Sequence, residues 1–267
     1  MTTIDTARFS DLLAEAVSRP GTIHEAYTAF HTFSLGNQLL ALTQCVERGI
    51  APGPLATFPR WKDRGRFVRK GEKALALCMP VTCKRRDGSP ASDEDPSQTF
   101  TRFIVRPRWF VLSQTDGNDF TPEPPNDWHL DRALAALGIT RIEFDSTNGN
   151  AQGFARARQI AISPLAALPH KTMFHELAHV LLGHTTEHDL HDGPHTPTNL
   201  REVEAESVAL LCCETLGLHG ADCARGYIQH WLSGDTIPEA SARRIFTTAD
   251  AILKAGRLVG LTEEGAR

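Results

Sequence analysis

The chain has no run of about 18 apolar residues, so nothing in it reads as a transmembrane helix and no membrane partner is expected. Its opening stretch, Met1-Thr-Thr-Ile-Asp-Thr-Ala-Arg8, lacks an apolar core, and no signal peptide is expected. Cysteine is sparse. Cys45, Cys78, Cys83, Cys212, Cys213 and Cys223 show no C-x-x-C spacing, and the adjacent pair Cys212 and Cys213 falls in an apolar run that reads as core. Internal repeats are absent. Together these absences argue against a disulfide scaffold or a membrane protein and favour a reduced, cytoplasmic one. A hydrophobic content of 41% over 267 residues suffices for one or two ordinary cores.

What is present begins with charge. The net charge is −4, yet the stretch from Arg60 to Arg86 holds ten cations against only two acids, Asp63 and Glu72. A basic block on an acidic chain is an electrostatic footprint for a polyanion. Within it, Phe58-Pro-Arg-Trp-Lys-Asp-Arg-Gly-Arg-Phe-Val-Arg-Lys-Gly-Glu-Lys73 interleaves aromatics with cations. Single-stranded nucleic acid is held by that combination, cations tracking phosphates and ring faces stacking on bases. Arg64, Arg66, Arg69, Lys70 and Lys73 are the candidate phosphate contacts and Trp61 the candidate stacking platform. The plainer reading is a β-hairpin with a solvated basic face and Trp61 in its core.

The second signal is His175-Glu-Leu-Ala-His179, an H-E-x-x-H string. Residues i and i+4 of a helix share a face, so both imidazoles can bind one Zn²⁺ or another divalent cation while Glu176 holds the attacking water. Met173, Phe174, Leu177, Ala178, Leu181 and Leu182 give that helix an apolar face, Thr172 can start it and Gly183 can end it. Polar groups on so apolar a helix are costly unless satisfied. A metzincin would continue H-x-x-G-x-x-H, but Gly183 and His184 stand at the wrong offsets. His184, five residues past His179, is turned well away from the ligand face of a helix. His188, His191 and His195 follow in a polar loop.

Downstream, residues 200–217 read as a second helix, and Glu202 and Glu206 share a face at i, i+4. The string Glu202-Val-Glu-Ala-Glu206 resembles the E-x-x-A-D/E helix of gluzincins. That resemblance implies Glu202 as third ligand and Glu206 as the carboxylate that orients a ligand histidine, a role that fixes tautomer and basicity. Glu204 or Glu206 is the alternative third ligand.

Helices are expected from Thr6 to Val17, from Ser34 to Gly49, from Asp131 to Leu137 and from Ser241 to Ala255. Strands are expected over 74–83, 100–106, 110–114, 141–145 and 159–162, with a hairpin loop over 87–97. Thr121-Pro-Glu-Pro-Pro-Asn-Asp127 is the best linker.

Three strings carry a wider resemblance: Phe33-Ser-Leu-Gly-Asn-Gln-Leu-Leu-Ala-Leu42, Trp61-x-x-x-Gly-Arg-x-Val-Arg-Lys-Gly-Glu-Lys73 and Phe110-Val-Leu-Ser-Gln-Thr-Asp-Gly117. With the H-E-L-A-H helix, Leu216-Gly-Leu and Gly226-Tyr-Ile-Gln-His-Trp231 in the same order, the chain resembles the ArdC-like antirestriction proteins. The resemblance implies an α+β chain: a single-stranded-DNA-binding domain over 1–122, then a zincin-like metallopeptidase domain over 123–267. It also implies carriage on plasmids or other mobile elements and protection of incoming DNA from restriction. Glu176 would be the general base toward an unknown protein or peptide substrate, with Tyr227 or His184 as oxyanion candidates. Two rival readings differ in class: a DNA-binding module whose metal only staples the fold, and an intracellular metalloprotease whose basic hairpin grips an acidic protein.

Overall fold

The computed structural model describes residues 8–84, 99–146, 150–185, 197–232 and 236–257. The expected 87–97 loop, His188, His191 and His195 lie outside these residues. The chain divides into two compact units, one of residues 1–7 and 40–121, the other of residues 8–39 and 122–267. The break after Thr121 falls at the start of the Pro-rich stretch, where X-Pro pairs disfavour helix. Residues 8–39 belong with the second unit.

The first unit is built on strands β1 (Leu55–Thr57), β3 (Leu75–Lys84) and β4 (Thr99–Val111), antiparallel in the order β1-β4-β3. The strands expected over 100–106 and 110–114 are a single strand as far as Val111. Leu112–Gln114 then form one 3₁₀ turn. The basic segment is not a hairpin. Phe58–Asp63 form a short helix, α4, and Arg66–Val68 form β2, which pairs with the distant β5 (Thr115–Gly117). Pro59 sits in the first turn of α4, where a missing N–H costs nothing. Gly65 and Gly117 let β2 and β5 close up. Both have positive φ, and a Cβ on Gly117 would stand 2.4 Å from the Gly65 carbonyl oxygen. Trp61, Leu75, Leu77 and Val111 are fully buried in this unit. Buried Gln44 donates to the Ala76 carbonyl at 2.9 Å and accepts the Ala76 N–H at 2.9 Å, tying its helix to β3.

That helix, α3 (Leu35–Arg48), runs through the boundary: residues 35–39 belong to the second unit and 40–48 to the first. The second unit also holds α1 (Phe9–Ser18), α2 (Thr22–Phe30), α5 (Leu130–Leu137), α6 (Pro169–Leu181), α7 (Thr198–Thr215), α8 (Ala221–Leu232) and α9 (Glu239–Ala255). Its sheet has the order β6 (Thr140–Arg141), β8 (Gln159–Ile162), β7 (Gly153–Arg156), with β6 parallel and β7 antiparallel to β8. Helix α7 is buried on all sides from Val203 to Thr215, and α6, α8 and α9 pack around it. A helix enclosed in this way shows little amphipathic stripe, because every face is core.

Two buried polar links fasten the N-terminal helices to this core. Glu214 accepts the Ile23 N–H at 3.0 Å and pairs with Arg225, whose guanidinium also caps the Val17 carbonyl at 2.6 Å. The Asp250 carboxylate accepts the Leu35 N–H at 2.8 Å at the start of α3. The α+β class is as expected, and α2, α8 and β7 are additions that periodicity did not reveal. Among the described residues no helix is long and apolar enough to cross a membrane. The cysteines described there, Cys45, Cys78, Cys212, Cys213 and Cys223, are all free thiols.

Candidate metal centre

Helix α6 opens at Pro169 and buries Met173, Phe174, Leu177, Ala178 and Val180. It lies on β7 and β8. That packing turns His175 and His179 toward α7, with their Nε2 atoms 3.0 Å apart. Glu202 of α7 completes the group, its carboxylate oxygens 3.4 Å from His175 Nε2 and 3.6 Å from His179 Nε2. Three donor atoms, one from each residue, fall within 4.8 Å of one another. Tetrahedral donors at about 2.0–2.1 Å from a cation stand about 3.3–3.4 Å apart, so the spacing fits one metal ion. The two histidines are mostly buried and Glu202 is 31% exposed, so the donors face a partly open side.

Glu176 is 92% buried beside this group, given its 8% exposure. Burial raises its carboxyl above the ordinary value, against the pull of His175 and His179. A glutamate so raised is a better base near neutrality. Strand β7 packs against it: a Cβ on Gly153 would stand 3.1 Å from Glu176 Oε1 and 2.9 Å from the Ala161 carbonyl. Burial also draws the His175 imidazole down, but Glu202 and Glu206 outweigh it and push the pKa up to about 9. Those imidazoles hold the Glu202 carboxyl far below the usual carboxylate range.

Each histidine is backed from behind. Glu206 Oε1 stands 3.3 Å from His175 Nδ1, at ion-pair distance though short of a well-aligned hydrogen bond, and it also pairs with Lys171. His179 Nδ1 lies 3.0 Å from His184 Nδ1, and His184 Nε2 lies 3.0 Å from Glu204 Oε2. His184 therefore has both ring nitrogens engaged and is not an oxyanion donor here. The helix does not continue to His184. Gly183 takes φ +77°, the His184 N–H bonds the His179 carbonyl at 2.9 Å and the Gly183 N–H bonds Val180 at 3.3 Å. This left-handed cap folds residue 184 back over the last turn. Gly183 was the sequence signal for that return. Tyr227 stands on α8, 38% exposed. Glu204 is fully buried and 3.6 Å from Arg244, so it is not among the three donors.

In the first unit the basic segment is less available than its sequence suggested. Trp61 is fully buried, its Nε1–H donating to the Phe110 carbonyl at 2.8 Å, with Phe120 edge-on at 5.4 Å. Its face offers no stacking platform. Arg64 lies over both of these rings. Arg66 bonds the Thr115 hydroxyl and carbonyl at 2.8 and 2.9 Å, and Arg69 bonds Glu72 at 2.9 Å and the Ser113 carbonyl at 2.5 Å. Arg66 and Arg69 thus help build the β2–β5 region. Arg60, Lys62, Arg69, Lys70 and Lys73 are exposed, Arg69 despite its bonds, and so are the rings of Phe58 and Phe67, at 52% and 60%.

Residues 14–106 match the model of the N-terminal domain of anti-restriction factor ArdC. The matched stretch draws on both compact units. The Mn(II)-bound crystal structure of antirestriction ArdC protein from the R388 plasmid is 17% identical with a TM-score of 0.55. That alignment covers 96% of this chain and 100% of the other. The metal-free structure of the same protein is 19% identical, with a TM-score of 0.52 and coverage of 93% and 94%. No curated protein matches the chain. Residues 14–106 thus resemble the ArdC N-terminal domain, and the chain shares the fold of the R388 ArdC structures over nearly its whole length.

Proposed function

We propose that the chain is an antirestriction protein of a mobile element, acting in the cytoplasm, that binds single-stranded DNA and carries a metal-dependent peptidase site. The observation that carries the second part is the convergence of His175, His179 and Glu202 on one point with buried Glu176 beside it. Two imidazoles and a carboxylate suit Zn²⁺ and also accept Mn²⁺, the ion in the R388 relative. A cation held there supplies Lewis acidity, polarising a carbonyl and making water more acidic.

The protein's own groups do the rest. Glu176 accepts a proton from the attacking water and returns it to the leaving amine. Glu206 holds His175 in one orientation, and Lys171 balances the charge of Glu206. Tyr227 is the remaining oxyanion candidate. In the first unit, Lys62, Lys70 and Lys73 supply the phosphate contacts and Phe58 and Phe67 the exposed rings.

Glu176→Gln separates a catalytic from a structural metal. Peptide cleavage is expected to fall by about 10²–10⁴-fold with metal content unchanged. Unchanged antirestriction and cleavage would leave only the structural role. For DNA, the Lys70→Ala/Lys73→Ala protein should lose about 1.4 from the slope of log K against log salt, at ~0.7 per phosphate. A flat salt response in the parent protein rules out DNA binding by this charge.

A further inference from the structure

We infer that His184 is the positioning residue for His179, and that Glu204 is buried in order to hold His184. The inference rests on the metal-site reading above and assigns the next link behind one of its two histidines.

The proton placement follows from the geometry. A metal at His179 Nε2 leaves Nδ1 as the protonated nitrogen, a donor only. Its partner at 3.0 Å is His184 Nδ1, which must then be the acceptor. His184 accordingly carries its proton on Nε2 and donates it to Glu204 Oε2 at 3.0 Å. Every ring nitrogen in the line has one role, and a single set of tautomers satisfies all of them. The line ends near Arg244, whose Nη1 is 3.6 Å from the other Glu204 oxygen and whose Nη2 bonds the Leu182 carbonyl at 2.7 Å. A carboxylate with no exposure is costly without partners. Glu204 offsets part of that cost through His184 and the Arg244 cation, while its Oε1 has no hydrogen-bond partner.

The helix geometry explains why an imidazole stands here. Glu202 and Glu206 share one face of α7 and reach the donors and His175 directly. Glu204, two residues from each, points elsewhere, since successive residues turn by about 100°. One imidazole ring, that of His184, stands between it and His179. The left-handed turn at Gly183 delivers His184 into that gap, with only 4% of its side chain exposed. One ligand is therefore backed directly by a carboxylate, and the other through a second histidine.

The test measures metal affinity by chelator competition, with the visible spectrum of the Co²⁺-loaded full-length protein, at one pH. His184→Asn keeps an acceptor near the Nδ1 position, whereas His184→Gln moves it toward Nε2. His184→Phe removes it. Phe and Gln are expected to weaken binding about 10–100-fold and to shift the Co²⁺ bands. Asn should recover most of the loss. Melting of the metal-free variants should not follow this order, which separates positioning from general packing. If Asn and Gln bind equally and leave the spectrum of the parent protein intact, the inference is overturned while the metal site stands. If the parent protein itself takes up no equivalent of metal, both readings fall. Should Phe not fold, the Asn and Gln pair decides alone.

Discussion

In the basic segment, arginines that looked free in sequence are engaged by their neighbours. Arg66 and Arg69 bond Thr115, Ser113 and Glu72, and Arg64 lies over the Trp61 and Phe120 rings. In the donor cluster the reverse holds: His175, His179 and Glu202 point at one another, with two Nε2 atoms 3.0 Å apart. Neighbouring donors of that kind are satisfied together only by a shared cation or a shared proton. The lesson is about what a surplus means. Ten cations in 27 positions argue for a polyanion only through those the fold leaves exposed, whereas three converging donors argue for a ligand by their geometry.

The contrast can be broken most forcefully at Trp61. If its ring is core, Trp61→Ala should destabilise the protein by about 3–5 kcal/mol in thermal or denaturant unfolding. Phe67→Ala should leave unfolding unchanged and weaken single-stranded DNA binding by ~1–3 kcal/mol. If the two swap effects, Trp61 faces solvent and the stacking assignment returns to it. The donor cluster comes next. Glu202→Ala should cost more in metal affinity than the ~10–100-fold typical of groups behind the ligands. Equal losses at Glu202 and Glu204 in isothermal titration would mean that the third ligand is wrongly chosen.

The smallest effect is in pH. In metal-free protein the His175 pKa is raised from 6.5 to about 9 by Glu202 and Glu206 against burial. A raised imidazole stabilises the fold fully below its unfolded value, and that contribution is lost as pH climbs through about 9. Chelator-treated protein should therefore melt lower at about pH 9.5 than at about pH 6. Metal competes with that proton, so affinity should rise over the same interval. Melting that is flat across it would show that the imidazole and carboxylates do not pair before metal arrives.

Much of the second unit was legible from spacing. His175, Glu176 and His179 sit on one helix because i, i+4 is a helical neighbour relation, and Glu202 and Glu206 share a face for the same reason. The ends of α6 and α7 differed from expectation by a turn or less, as Pro169 and Thr198 extended them. Glu204, His184 and Gly153 were not legible in these roles. A buried acid reads in sequence like a solvated one, and a histidine past a helix end has no register until the cap conformation is known. In the basic segment, Phe58–Asp63 offered no period that separates a one-turn helix from a strand, and the partner of β2 lay some 50 residues away.

Sequence by itself determined the chemistry on offer: two imidazoles and a carboxylate base at helical spacing, two further acids on a second helix, and a dense block of cations. These depend on residue identity and on the 3.6-residue turn, which are local. Tertiary structure decided which of them meet. It brought α7 against α6 so that Glu202 closes the donor set, folded His184 back through Gly183, buried Trp61 and tied down Arg66 and Arg69. Those outcomes depend on which faces are removed from water and which buried polar groups find partners, and both are properties of the packed chain as a whole.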